Sequence, residues 1–273
     1  MAEVLDGYQG LVKIQLCGPW TLAAALERPR TLNAALSDPG AVADLTVSLA
    51  EGAAAHVAEV LKRVPGARLV VQFDEPSLPA VAEGAIPTAS GLSRFAAVEP
   101  DTLRGTLALV LAAVRGYTVV HCCAATVPFG IIRAAGANAV SFDLGQLRRG
   151  EEDAVAETAE AGMGLLTGAV PARPEQVAAG VPDGGRAGRG AAGPGRAGPG
   201  GGSAEARETA ERVIRLYQRL GLPLATCGAQ TVITPSCGLA GATAVQARVA
   251  LARCQQAAAM LPELIEDTGG EPR

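Results

Sequence analysis

Aromatic side chains are scarce: four Phe, three Tyr and one Trp among 273 residues. A core with so few rings must be built from Ala, Val and Leu. Apolar residues make up 49% of the chain, enough to bury a sizeable core. An alanine-rich composition also favours helices. A surplus of charge is missing too. The net charge of −4 argues against a nucleic-acid surface and gives no reason to expect an anionic membrane as partner. The longest apolar run, LALVLAAV at 107–114, is far short of the ~20 residues that span a bilayer. The first residues, MAEVLDGYQG, lack the basic start and apolar stretch of a signal peptide. The expectation is a cytoplasmic protein with neither membrane nor nucleic acid as partner. In a reducing compartment, six cysteines in a chain this long read as buried, catalytic or metal-binding residues rather than a disulfide framework.

What is present is an alternation. Strand-like runs at 11–19, 67–76, 117–123, 138–143, 162–171 and 231–238 alternate with helical runs at 41–63, 99–115, 128–135, 151–161, 204–220 and 243–261. None of the strand runs alternates cleanly between polar and apolar residues, which predicts strands buried on both faces. Such βα units build a parallel sheet. Their connections are of similar length and nothing signals a reversal of strand order. The pattern therefore favours an α/β fold of the TIM-type (β/α) barrel over an open doubly wound sheet. Residues 1–273 read as a single barrel domain. One stretch interrupts it: residues 180–206 are Gly-rich with low complexity, too poor in apolar surface to offset their ordering entropy, and read as a flexible insertion within a βα loop.

Polar and sulfur-bearing residues collect where the strand runs stop. Asp74 and Glu75 end the second, His121, Cys122 and Cys123 the third, Asp143 the fourth and Cys237 the sixth. In a parallel barrel all strand C-termini share one face, where active sites are built. Side chains alternate along a strand, so His121 and Cys123 point one way and Cys122 the other. His121, Cys123, a carboxylate and Cys237 would offer N, S, O and S donors, a set suited to tetrahedral Zn2+. A single unpaired Cys is most often a small buried hydrophobe. The set, which holds the chain's only histidine outside a helix, points instead to metal. Cys17, Cys122, Cys227 and Cys254 read as core, and His56 as a partly exposed helical residue.

These segments carry a resemblance. VKIQLCGPWTL, VVQFDEPSLP, VVHCCAA, NAVSFD and TPSCGLAG, in this order over roughly residues 11–250, resemble the C-terminal catalytic barrel of the cobalamin-independent methionine synthase family. That barrel is grouped with uroporphyrinogen decarboxylase and the corrinoid methyltransferases, and the chain looks closest to the short, stand-alone type. The resemblance implies Zn2+ held by His121, Cys123 and Cys237. Asp143 stands where the family has a Glu ligand, one methylene longer. It implies that Asp74 binds the amino group of homocysteine. The implied reaction transfers a methyl group from 5-methyltetrahydrofolate to the homocysteine thiol, giving methionine. A methyl-corrinoid protein as donor, or a non-catalytic metal-binding barrel, are the alternatives. Set against the family barrel, the chain starts at the third strand, so an incomplete barrel of about six βα units is expected. The family's proton-donating His after the strand matching GLLTGAV has no counterpart.

Overall fold

The computed structural model describes residues 3–29, 31–172 and 201–269. Among them run β1 (Gly10–Cys17), α1 (Pro19–Ala25), α2 (Pro39–Arg63), β2 (Ala67–Asp74), α3 (Leu78–Ala82), α4 (Pro100–Ala113), β3 (Tyr117–Cys122), α5 (Phe129–Ala134), β4 (Ala139–Asp143), α6 (Glu152–Glu160), β5 (Gly164–Val170), α7 (Gly201–Arg219), α8 (Leu224–Gln230), β6 (Thr231–Pro235) and α9 (Ala244–Gly269). The strands form one parallel sheet in the order β1-β2-β3-β4-β5-β6. A doubly wound sheet reverses its strand order at a switch point; this one does not. The fold is α/β, an incomplete TIM-like barrel with six strands where a full one has eight. Every expected strand is present. The short α1, α3 and α8 were not foreseen, being too brief for an apolar periodicity to register. Of the Gly-rich stretch, residues 180–200 lie outside the described residues, and 201–206 form the start of α7.

The chain divides into two compact units, Met1–Ser141 with Glu157–Leu165, and Phe142–Ala156 with Leu166–Arg273. In the first unit, β1 pairs with β2 and β2 with β3 in parallel register. The helix α2 begins at Asp38, whose Oδ1 accepts the Gly40 and Ala41 amides at 2.9 and 3.3 Å, satisfying donors left over at a helix N-terminus. Val42, Thr46, Ala50, Ala53, Val57 and Val60 recur every three or four residues and are its buried face. The chain's one Trp, Trp20, is also buried, and its indole N–H donates to the Leu103 carbonyl at 3.0 Å.

The first turn of α1 has an unusual cap. Gly18 at its N-cap has no side chain to offer, and Pro19 occupies the first position. The next two amides donate instead to Glu75, 54 and 55 residues away in sequence: Trp20 N to Oε1 at 2.9 Å and Thr21 N to Oε2 at 2.7 Å. The Thr21 hydroxyl donates to the same Oε2 at 2.8 Å. A Cβ on Gly18 would collide with this carboxylate, so a residue without a side chain is required there. Glu75 is wholly buried. Burial pushes its pKa up to about 7, against the opposing pull of the three donors.

In the second unit α7 packs against α9, and β6 against α9. Val213, Leu216 and Tyr217 of α7 and Ala257, Leu261 and Leu264 of α9 are buried. Gly168 in β5 is a close-approach position: a Cβ there would lie 2.6 Å from the Phe142 carbonyl oxygen and 2.8 Å from the Ser236 Cα.

The strands differ from expectation in one respect. All seven residues of β5 are buried, but β1 exposes Leu11, Lys13, Gln15 and Cys17 in alternation. Cys17 is therefore not a core residue. β1 stands at one end of the strand order, where one face is left uncovered.

Glu75→Gln should be less stable than the parent at neutral pH, because an amide nitrogen replaces an acceptor facing backbone donors; a cost of about 1–3 kcal/mol is expected. The pH dependence has a defined sign. The folded-state pKa lies above the unfolded one, so Glu75 favours folding below about pH 4.5 and loses that contribution as pH rises through about 7. Urea unfolding from pH 5 to 8 should show the parent losing about 2–3 kcal/mol that the variant does not lose. Parallel pH profiles would contradict it.

Candidate metal centre

Register builds the site. Cys17 is the partner of Asp74, and Asp74 the partner of His121. Paired residues in a parallel ladder face the same side, so the three side chains form one row at the C-terminal ends of β1, β2 and β3. Gln15, Gln72 and Val119 form the row beneath by the same pairing.

Each member has a defined setting. Although Cys17 is solvent-exposed, partial desolvation raises the pKa of its thiol, and the charges of Glu75 and Asp74 raise it further. Its thiolate is therefore disfavoured relative to an ordinary cysteine. Asp74 is half-buried, and its Oδ1 accepts the Gln72 amide at 2.6 Å. His121 is buried, 7% exposed. Its Nδ1 lies 2.9 Å from the Ser141 hydroxyl, while its Nε2 is buried with no hydrogen-bond partner among the described residues. Its backbone carbonyl accepts the Glu75 amide at 2.7 Å, tying the end of β3 to the residue that caps α1.

His121, Cys123 and Cys237 each offer one ligand atom, and these atoms lie within 4.8 Å of one another. A His/Cys/Cys group of this kind could hold a metal ion. Ligand atoms on tetrahedral Zn2+, bound at 2.0–2.3 Å, stand about 3.3–3.8 Å apart. The buried, partnerless Nε2 is the observation that fits a metal. An imidazole nitrogen without a partner away from water costs free energy, and an ion would supply the partner. With its proton on Nδ1, His121 donates to Ser141 and presents a lone pair at Nε2. This is the second-sphere hydrogen bond that orients ligating histidines.

The fourth residue expected on sequence grounds is not in that group. Asp143 is half-buried; its Oδ1 accepts the Gly145 amide at 2.8 Å and its Oδ2 the Gln146 side-chain amide at 3.2 Å. Its carboxylate is engaged in the turn that follows β4. His56 is an exposed residue of α2, as expected, and Cys122, Cys227 and Cys254 are buried. Ser141 and Gln72 were missed. The alternation of side chains could have found both, since each lies two residues before a singled-out acid on the same face.

No protein-family profile matches the chain, and no curated protein does. A solved structure does match: a B12-independent methionine synthase from Shewanella sp. W3-18-1 in complex with selenomethionine, with a TM-score of 0.56 and 13% identity. The likeness is one of fold. It covers 93% of this chain and 63% of that one. Among the described residues no helix is long and apolar enough to cross a membrane.

Ser141→Ala should weaken Zn2+ binding about 10–100-fold by freeing the His121 ring. Competition with a chromogenic chelator reads this directly. Cys237→Ser should lower metal content sharply while Cys122→Ser leaves it unchanged. Equal metal in the two Cys variants would remove Cys237 from the ligand set.

Proposed function

We propose that this chain is a zinc-dependent methyltransferase that alkylates the thiol of homocysteine, with 5-methyltetrahydrofolate as donor. The observation that carries the reading is the convergence of His121, Cys123 and Cys237 around one point, with His121 Nε2 lacking any other partner. The fold likeness to a methionine synthase supports it. Because the chain spans 63% of that neighbour, the donor belongs to the proposal as much as the acceptor does.

His121, Cys123 and Cys237 would hold Zn2+, which as a Lewis acid supplies a substrate thiol already deprotonated near neutral pH. Three protein ligands leave one position of a tetrahedral set open, the pattern of catalytic rather than structural sites. That opening is where the substrate sulfur fits. Asp143, whose two oxygens each accept one hydrogen bond, would keep a lone pair with which to add a further ligand. Two thiolates among the ligands keep electron density on the sulfur high. The residues of the chain then do the positioning. Ser141 fixes the ring of His121. Asp74, the register partner of His121 on the neighbouring strand about 4.8 Å away, receives the substrate ammonium. A short thiol amino acid reaches both. The Asp74 Oδ2 accepts no hydrogen bond from the described residues and is the atom available for that contact. The methyl group passes from its nitrogen donor to sulfur, and the electron pair of the broken C–N bond stays on the nitrogen, which takes a proton.

Purified chain loaded with Zn2+ and given homocysteine and 5-methyltetrahydrofolate should form methionine, detected by mass spectrometry. Asp74→Asn should raise the KM for homocysteine about 10–100-fold, the loss of a hydrogen bond between charged groups, with zinc content unchanged. Methionine formed only from a methyl-corrinoid protein would reassign the donor. A chain that binds zinc but gives no product from either donor would leave a metal-binding barrel without this activity.

A further inference from the structure

One cation shares the face of Asp74 on the adjacent strand β1. Lys13 lies on the same face of the neighbouring strand, two residues below Gln15. Burial lowers the pKa of its ammonium, and the Asp74 charge works against that lowering. Among the described residues, however, Asp74 forms no ion pair with Lys13 or any other cation. The atom that bonds its carboxylate is the Gln72 side-chain nitrogen, at 2.6 Å from Oδ1. Gln72 is itself buried, 6% exposed, so its amide has few conformations open to it. Gln72 and Asp74 sit two apart on β2 and share a face.

We infer that Gln72 is a positioning residue for recognition of the substrate ammonium: its amide orients the Asp74 carboxylate without cancelling its charge. A neutral donor suits this task where a cation does not. Lys or Arg bound to Oδ1 would leave the pair with no net charge and little attraction for a second cation. An amide fixes one oxygen, sets the plane of the carboxylate and leaves Oδ2 as a charged acceptor. The half-buried setting strengthens the remaining attraction by excluding part of the water. The residue acts only through Asp74 and touches no reacting atom. Its effect should therefore fall on discrimination between amino-bearing and amino-free thiols, and not on the metal.

The inference rests on the reading that Asp74 binds the substrate ammonium, and the experiment separates the two. Zinc-loaded full-length protein is titrated calorimetrically with homocysteine and with 4-sulfanylbutanoate, which is homocysteine without its amino group. The parent should bind homocysteine more tightly. Gln72→Met keeps the side-chain volume and removes the donor; the ratio of the two Kd values should fall about tenfold, with 4-sulfanylbutanoate affinity and zinc content unchanged. Gln72→Asn keeps the polarity but draws the amide back by one methylene, and should lose selectivity in the same way, which guards against a folding defect in the first variant. A Kd ratio that both variants retain, while Asp74→Asn abolishes it, would overturn the role of Gln72 and leave Asp74 in place. A parent protein that does not discriminate between the two thiols would overturn the Asp74 reading, and this inference with it.

Discussion

In a parallel ladder, residues paired across strands face the same side, and here that rule aligns Cys17, Asp74 and His121 at the ends of three consecutive strands. The placing of Asp74 beside His121 depends on that register. A slip of one residue in β2 against β3 would turn Asp74 toward the helices and bring Glu75 to the open face. The glycine at 168 serves the same end in β5, since a side chain there would meet the Phe142 carbonyl and the backbone of Ser236.

Two consecutive carboxylates follow from this geometry with opposite fates. Asp74 points to the open face, half-buried, with one oxygen held by Gln72. Glu75 is wholly buried and spends both oxygens on the first turn of α1. Its amide donates to the carbonyl of His121, so Glu75 links the cap of a helix to the end of β3. Burial raises the Glu75 pKa to about 7 even though three donors oppose it, a sign that desolvation outweighs hydrogen bonding at this position.

His121 joins the two halves of the chemistry. One ring nitrogen is placed by Ser141 and the other is left bare in a buried setting. Cys17, in the same row, is solvent-exposed, but partial desolvation and the negative charges of Glu75 and Asp74 raise its pKa.

The alternation of strand-like and helical runs determined the α/β class, the six strands and their order, because hydrophobic periodicity is local and the connections are short. It also determined that His121 and Cys123 share a face, since side chains on a strand alternate whatever surrounds them. Local pattern could not reveal the short α1, whose cap comes from Glu75 more than fifty residues away. Nor could it show that Cys17 is exposed, which follows from the place of β1 at the end of the sheet. It was likewise the tertiary structure that engaged the Asp143 carboxylate with Gly145 and Gln146 and bared one nitrogen of His121. Contacts of that kind depend on which distant groups arrive at the same point, and residue type and spacing do not carry that information.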